Sequence, residues 1–212
     1  MPQKDSIEVY EKLIGTDYKP ALERFSRVLL RLGVPPDEVQ RVFDAFRWEV
    51  AEGTCCVFAI EWDVADFKLP GWNIAIQPYV MGFTPNLDEG VTDNWFYCGF
   101  CLETYELIPA YIWRGHVPWH YPAESQKLIA TLAQAMHQEF SQATIYFTDD
   151  SQDGDLMDAV MGNEAGKKWR FHYALFPLEP HDAYLPIPPS HAGRFGRYFE
   201  AWDRKTWPQF TS

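Results

Sequence analysis

Histidines, paired thiols and a run of acids are the groups in this sequence whose chemistry could serve a reaction or a ligand. His172 lies in the stretch Lys168–Phe176, where alternation predicts a strand with Trp169, Phe171, Tyr173 and Leu175 on one side. Arg170 and His172 then share the other side, in solvent or along a cleft, as polar groups of a binding site. General acid–base work needs a second group within hydrogen-bond reach, and the neighbouring sequence does not supply it. His116 and His120 have the spacing that gathers two imidazoles on a helix, yet Pro118 between them opposes a helix. Cys98 and Cys101 show the C-x-x-C spacing used in redox motifs and in half of a zinc site. A polar loop precedes them instead of the buried strand a redox motif requires. In a regular strand, positions three apart point to opposite faces. The same geometry spoils chelation by the adjacent pair Cys55 and Cys56, so all four thiols read as core residues.

The run Asp149-Asp150-Ser151-Gln152-Asp153-Gly154-Asp155-Leu156 resembles the front of an EF-hand-type calcium loop. In such a loop oxygen ligands alternate along the chain, and glycine permits the sharp turn around a hard cation. The resemblance implies Asp149, Ser151, Asp153 and Asp155 as ligands and calcium as the metal. The twelfth place holds Val160 where the closing bidentate glutamate should stand, and Ile145–Thr148 ahead of the loop reads as strand where a helix is expected. The other reading is an acidic turn whose Asp153 or Asp155 caps the next helix.

Charge and aromatic content point to binding. The chain of 212 residues carries a formal net charge of −12, and aromatics make up 17% of it. Between Thr54 and Ile112 lie Glu61, Asp63, Asp66, Asp88, Glu89, Asp93, Glu103 and Glu106 against Lys68 alone. A surface of that sign repels phosphates, which argues against nucleic acid and against an anionic membrane. Trp62, Trp72, Trp95, Trp113 and Trp119 fall in or beside the same stretch. One sheet covered by helices on a single face could not hide all of these rings. Either a second layer covers the other face or an aromatic surface stays exposed, and exposed apolar patches rimmed by charge mark interaction sites. The expected site is therefore an acidic, aromatic sheet surface carrying Glu61, Trp62, Asp63, Trp72, Trp95 and Trp113, with Arg170 and His172. Its expected ligand is a protein partner with a basic surface, as in an inhibitor, immunity or adaptor protein. The alternative is a small-molecule site or small enzyme with an aromatic-lined pocket between sheet and helices.

No serine stands in a G-x-S-x-G elbow, and neither G-x-G-x-x-G nor G-x-x-x-x-G-K-[ST] occurs, which removes the commonest hydrolase and nucleotide signatures. The opening Met1-Pro2-Gln3-Lys4-Asp5-Ser6 lacks the apolar core of a signal peptide, and no apolar run reaches the ~18–20 residues of a membrane span. Cytoplasmic residence is the expectation.

The elements that must position these groups follow from periodicity. Residues 1–53 predict three helices, the first beginning at Asp5-Ser6-Ile7-Glu8 with Ile7, Tyr10, Leu13 and Ile14 on one face. The second opens at Pro20 with Leu22, Phe25, Leu29 and Leu32. The third opens at Pro35-Pro36-Asp37-Glu38 and runs toward Gly53. Residues 54–113 predict a strand meander, with runs at Cys55–Trp62, Trp72–Tyr79, Trp95–Leu102 and Leu107–Trp113. Residues 114–212 mix a long helix from Pro122, strands at Ala143–Thr148 and Lys168–Phe176, a short helix at Asp155–Met161, and a last helix using Phe195, Tyr198, Phe199 and Trp202. The expected architecture is one α+β domain spanning 1–212: an antiparallel sheet of five or six strands, an N-terminal three-helix segment, and further helices mostly on one face.

Overall fold

The computed structural model describes residues 4–15, 17–45, 49–50, 57–58, 67–83, 93–108, 120–149, 156, 160–161, 168–179 and 185–208. They form an α+β structure around one antiparallel sheet. The strands are β1 (Lys4–Leu13), β2 (Glu49–Val50), β3 (Val57–Phe58), β4 (Phe67–Lys68), β5 (Ala75–Phe83), β6 (Asn94–Glu103), β7 (Ile145–Asp149), β8 (Tyr173–Phe176), β9 (His191–Phe195) and β10 (Phe199–Asp203). Their order across the sheet is β2-β3-β5-β6-β1-β7-β8-β10-β9, with β4 pairing β5. The helices are α1 (Lys19–Arg31), α2 (Pro36–Ala45), α3 (Thr104–Leu107) and α4 (Ala123–Glu139). None among the described residues is long and apolar enough to cross a membrane.

The first expected helix is instead β1, the strand between β6 and β7 near the middle of the sheet. Both of its faces are buried: Ile7 and Val9 look toward the helices, while Ser6, Glu8 and Tyr10 lie on the opposite face. Helical spacing of Ile7, Tyr10 and Leu13 coincides with a strand pattern masked by buried polar residues, whose partners come from distant segments. α1 and α2 form where expected. Ala21, Phe25, Val28 and Leu29 make one buried stripe on α1, and a positive φ of 83° at Gly33 ends the segment. α2 stops at Ala45, and Glu49–Val50 already pairs with β3, so the third helix does not run to Gly53.

The last expected helix is the hairpin β9–β10. Phe195 and Phe199 are cross-strand partners with ring centroids 4.6 Å apart, so spacing that suits a helix face serves a stacked pair across a turn. Gly193 sits 2.5 Å, measured from where a Cβ would stand, from the Phe199 ring, a place that only glycine fills without displacement. The strand count exceeds the expected five or six for this reason and because β1 joins the sheet. The expected strand at Leu107–Trp113 begins inside α3, and its remainder from residue 109 lies outside the described residues, as does most of the run Cys55–Trp62.

The helices cover one face of the sheet. The buried side chains of α1 and α4 belong to the same cluster as Ile7, Val9, Phe96, Phe100, Phe147 and Trp207. Arg27 and Arg31 of α1 both grip Glu139 at the end of α4, each at 2.7 Å. The opposite face is aromatic as well. Over β7, β8 and β10, Tyr146, Phe171, Phe176 and Phe199 are buried together with Leu156 and Met161. Over β5 and β6, Tyr79, Met81 and Trp95 remain only half-buried.

Candidate functional site

Two polar clusters stand on opposite sides of β1. On the helix face, Asp5 and Asp149 are cross-strand partners of β1 and β7. His172 Nε2 lies 3.2 Å from Asp149 Oδ2, and its Nδ1 lies 3.1 Å from Thr206 Oγ1. The Thr206 hydroxyl donates to Asp203 Oδ1 at 3.2 Å, and Asp203 also accepts the amides of Lys205 and Thr206, closing a tight turn after β10. Tyr121, just ahead of α4, donates its hydroxyl to Asp5 Oδ1 at 3.0 Å and its amide to Thr206 O. Burial pushes the Asp5 carboxyl up to about 6, against the pull of the Thr104 hydroxyl, His172 and the Tyr121 hydroxyl, with Asp149 adding to the rise.

Hydroxyl, imidazole and carboxylate in that order have the connectivity of an acid–base relay. A relay must also meet a substrate, and here His172 is 3% exposed, Thr206 5% and Asp149 7%. Tyr121 and Phe147 pack against the imidazole, and Trp207 packs against both of them. The arrangement ties β1, β7, the start of β8, the approach to α4 and the C-terminal turn into one buried clamp.

On the other face Glu8 is entirely buried and accepts from three tyrosines. Tyr79 donates at 2.8 Å, Tyr10 at 3.1 Å, and Tyr97 makes a shorter contact to the same oxygen as Tyr79. Ser6 and Thr148 reach the carboxylate at 3.4 and 3.5 Å and each other at 3.2 Å. Gly99, opposite Glu8 in β6, lets this happen. A Cβ there would meet Ile7 O at 2.2 Å and the Tyr79 hydroxyl at 2.9 Å, so a side chain would force both the strand and the tyrosine aside. Along the same face, β5 and β6 carry the half-buried Tyr79, Met81 and Trp95. The Trp95 indole N–H has no acceptor, although most buried polar groups find one.

The structure brings together two residues that the sequence placed in separate sites: Asp149, read as a metal ligand, and His172, read as a binding group. The side chain of Asp149 is turned to His172; Ser151, Asp153 and Asp155 lie outside the described residues. Arg170 is exposed, whereas His172 is buried, so the two do not share a face. Strand pairing begins only at Tyr173, and the preceding turn breaks the alternation: Phe171 packs on the second face, Tyr173 and Leu175 on the helix face. Trp72 packs against the helix-face cluster and Trp95 against the second-face cluster, so these two tryptophans are apart. Glu61, Trp62, Asp63 and Trp113 lie outside the described residues. The acids of the middle segment that are described are engaged: Asp93 with Lys12 at 2.8 Å, Glu103 with Lys4 at 3.8 Å, and Glu106 with the Ala75 amide at 3.2 Å.

Cys98 and Cys101 do take opposite faces. Cys98 is sealed in the helix-face core, where burial pushes its thiol well up, and Cys101 is half-buried on the second face. Among the described residues no group of three or more His, Cys, Asp or Glu side chains is arranged to hold a metal ion. The residues that sequence reasoning missed are Asp5, Glu8, Tyr121 and Thr206. Alternation along Ser6, Glu8 and Tyr10 was the available signal for Glu8; nothing local distinguishes the other three.

The fold and its two clusters define an α+β protein with a wide antiparallel sheet, helices on one side and an aromatic second face. Compared with models of known protein families, with curated proteins and with solved structures, the chain matches none.

Proposed function

We propose that this chain is a non-catalytic binding protein that engages a protein partner through the second face of its sheet. The observation that carries the reading is the half-buried row Tyr79, Met81 and Trp95 on the same sheet face where three tyrosine hydroxyls, that of Tyr79 among them, hold the Glu8 carboxyl in place. Interface energy concentrates in aromatic and apolar anchors on a rigid, desolvated base. Tyrosine and tryptophan supply such anchors at low conformational cost. Among the described residues, the hydroxyl–imidazole–carboxylate set Thr206, His172 and Asp149 is sealed at the clamp. A net charge of −12 selects a partner whose rim is basic and speeds its encounter.

Site-specific photo-crosslinking in cells of the source tests this. A photoreactive residue at Met81 or Trp95 is expected to give one discrete protein adduct, weakened by raised salt, and the same residue at Gln138 on α4 is expected to give none. Equal labelling at all three positions, or no adduct from the sheet, overturns the reading.

A further inference from the structure

A second hydroxyl–imidazole pair stands at the surface, in contrast to the sealed pair of Thr206 and His172. Pro188, Pro189 and Ser190 make the turn into β9, and the His191 amide closes it by donating to Pro188 O at 2.9 Å. Two successive prolines fix their own φ angles, so the turn that carries Ser190 is stiff. Arg204 ties β10 to the same turn: its amide donates to Ser190 O at 2.9 Å and its Nε to His191 O at 2.8 Å. Ser190 and Arg204 are exposed, whereas His191 is only 5% exposed.

The imidazole of His191 is packed, and its tautomer is fixed. Trp169 and Phe171 lie against the ring, with centroids 5.2 and 4.7 Å away. His191 Nε2 is 3.2 Å from Phe171 O, and a carbonyl only accepts, so Nε2 carries the hydrogen. Nδ1 keeps its lone pair, and the Ser190 hydroxyl, 2.9 Å away, donates to it. Burial holds the imidazole below its usual range and so in its basic form at neutral pH. Phe171 O and Asp203, its cross-strand partner, oppose that fall and would stabilise the imidazolium once formed, while His172 adds to the fall. An accessible hydroxyl, a base within hydrogen-bond reach and a third group that orients the base are the parts of an activated serine.

We infer that Ser190 is a covalent modification site that takes an acyl group from a small activated ester. Ser190 Oγ attacks the acyl carbon while His191 Nδ1 takes the hydroxyl proton, and the Arg204 guanidinium supplies positive charge for the developing oxyanion. The bond from the acyl carbon to the leaving oxygen then breaks; that oxygen keeps the electron pair and receives the proton from Nδ1. The product is one serine ester per chain, and no turnover is required. The inference goes beyond the docking reading and is independent of it. The two sites share no residue, and β9 ends the sheet order on the side away from β5 and β6.

p-Nitrophenyl acetate is the probe, added to the full chain from acid to alkaline pH, with the acetylated residues mapped by peptide mass spectrometry. The ester at Ser190 is expected to form at least about a hundredfold faster than at the exposed Ser141, to which no described imidazole is bonded. Its rate is expected to rise through one ionisation below the ordinary 6.5 of an imidazole and to stay level above it. His191→Gln is expected to slow the transfer by about the same hundredfold. Should that variant not fold, the pH profile of the native chain decides. An ester at Ser190 that forms no faster than at Ser141, a rate that climbs with hydroxide through neutral pH, or an unchanged rate in folded His191→Gln overturns the inference.

Discussion

Asp5 and Glu8 sit three residues apart on one strand, face opposite sides of the sheet, and are both buried, yet they are supported in different ways. Glu8 accepts from Tyr10, Tyr79 and Tyr97, with Ser6 and Thr148 alongside. Asp5 accepts the Tyr121 hydroxyl at Oδ1, while its Oδ2 is buried without a hydrogen-bond partner within reach. Hydroxyl dipoles aimed at a carboxylate replace the water it loses, and a shortage of them leaves the desolvation cost standing. The second face thus holds Glu8 as a fixed floor. The helix face holds a carboxyl raised to about 6, beside Asp149 and His172, where a proton is retained more readily. One cluster makes a stiff platform on the face of the half-buried aromatics, and the other a clamp whose stability depends on pH.

The largest expected break in that comparison is Glu8→Ala. It leaves three tyrosine hydroxyls around a cavity without their acceptor, and the expected cost is about 3–5 kcal/mol in urea unfolding. If that variant does not fold, Glu8→Gln keeps the shape and is expected to lose about 2 kcal/mol. A cost under about 1 kcal/mol for both would mean the hydroxyls find other partners and the floor is not built on Glu8.

Asp5 gives the next effect, with the opposite sign. Its carboxyl binds a proton more tightly folded, at about 6, than unfolded, at 3.8. The stabilisation from protonated Asp5 is complete below pH 3.8 and is lost as the pH rises through about 6. The span corresponds to about 3 kcal/mol at ~1.36 kcal/mol per pH unit. Asp5→Asn is expected to remove this share of the fall in stability between about pH 4 and pH 6 and to be at least as stable as the native chain at pH 7. Denaturation curves across that range check it, and an unchanged slope in Asp5→Asn contradicts it.

Two threonines give the smallest and sharpest contrast. Thr206→Val removes the partner of His172 Nδ1, a buried nitrogen in a sparse cluster, and is expected to cost about 1–2 kcal/mol. Thr148→Val removes a long 3.5 Å contact from a carboxylate that keeps its tyrosines, and a 3.2 Å contact to Ser6, which still reaches Glu8; about 0.5 kcal/mol is expected. Equal costs would erase the distinction between a sparse and a saturated cluster.

The fold class was legible in the sequence, and so were α1, α2, α4, β6 and β7, because their apolar positions keep one period and their ends carry Pro20, Gly33, Pro36 or Pro122. β1 was not, because its alternating Ile7 and Val9 are interleaved with buried Asp5, Ser6 and Glu8, which read as solvent-facing groups, and its Asp-Ser-Ile-Glu start mimics a helix cap. The β9–β10 hairpin was missed because Phe195, Tyr198, Phe199 and Trp202 also fit a helix face, although Gly193 and Gly196 argued for a turn. Of the candidate site, His172 and Asp149 were singled out individually, but their meeting depends on the pairing of β7 with β8, which no local pattern encodes. The tyrosines around Glu8 come from three strands adjacent in the sheet and far apart in the chain, and strand order decides that neighbourhood.

The most direct measurement is the affinity of the crosslinked partner for the native chain and for Trp95→Ala, Met81→Ala and Gln138→Ala. The two second-face variants are expected to weaken binding about thirtyfold, which is ~2 kcal/mol, while Gln138→Ala leaves it unchanged. Undiminished affinity in both Trp95→Ala and Met81→Ala would contradict the assignment of the second sheet face as the docking surface.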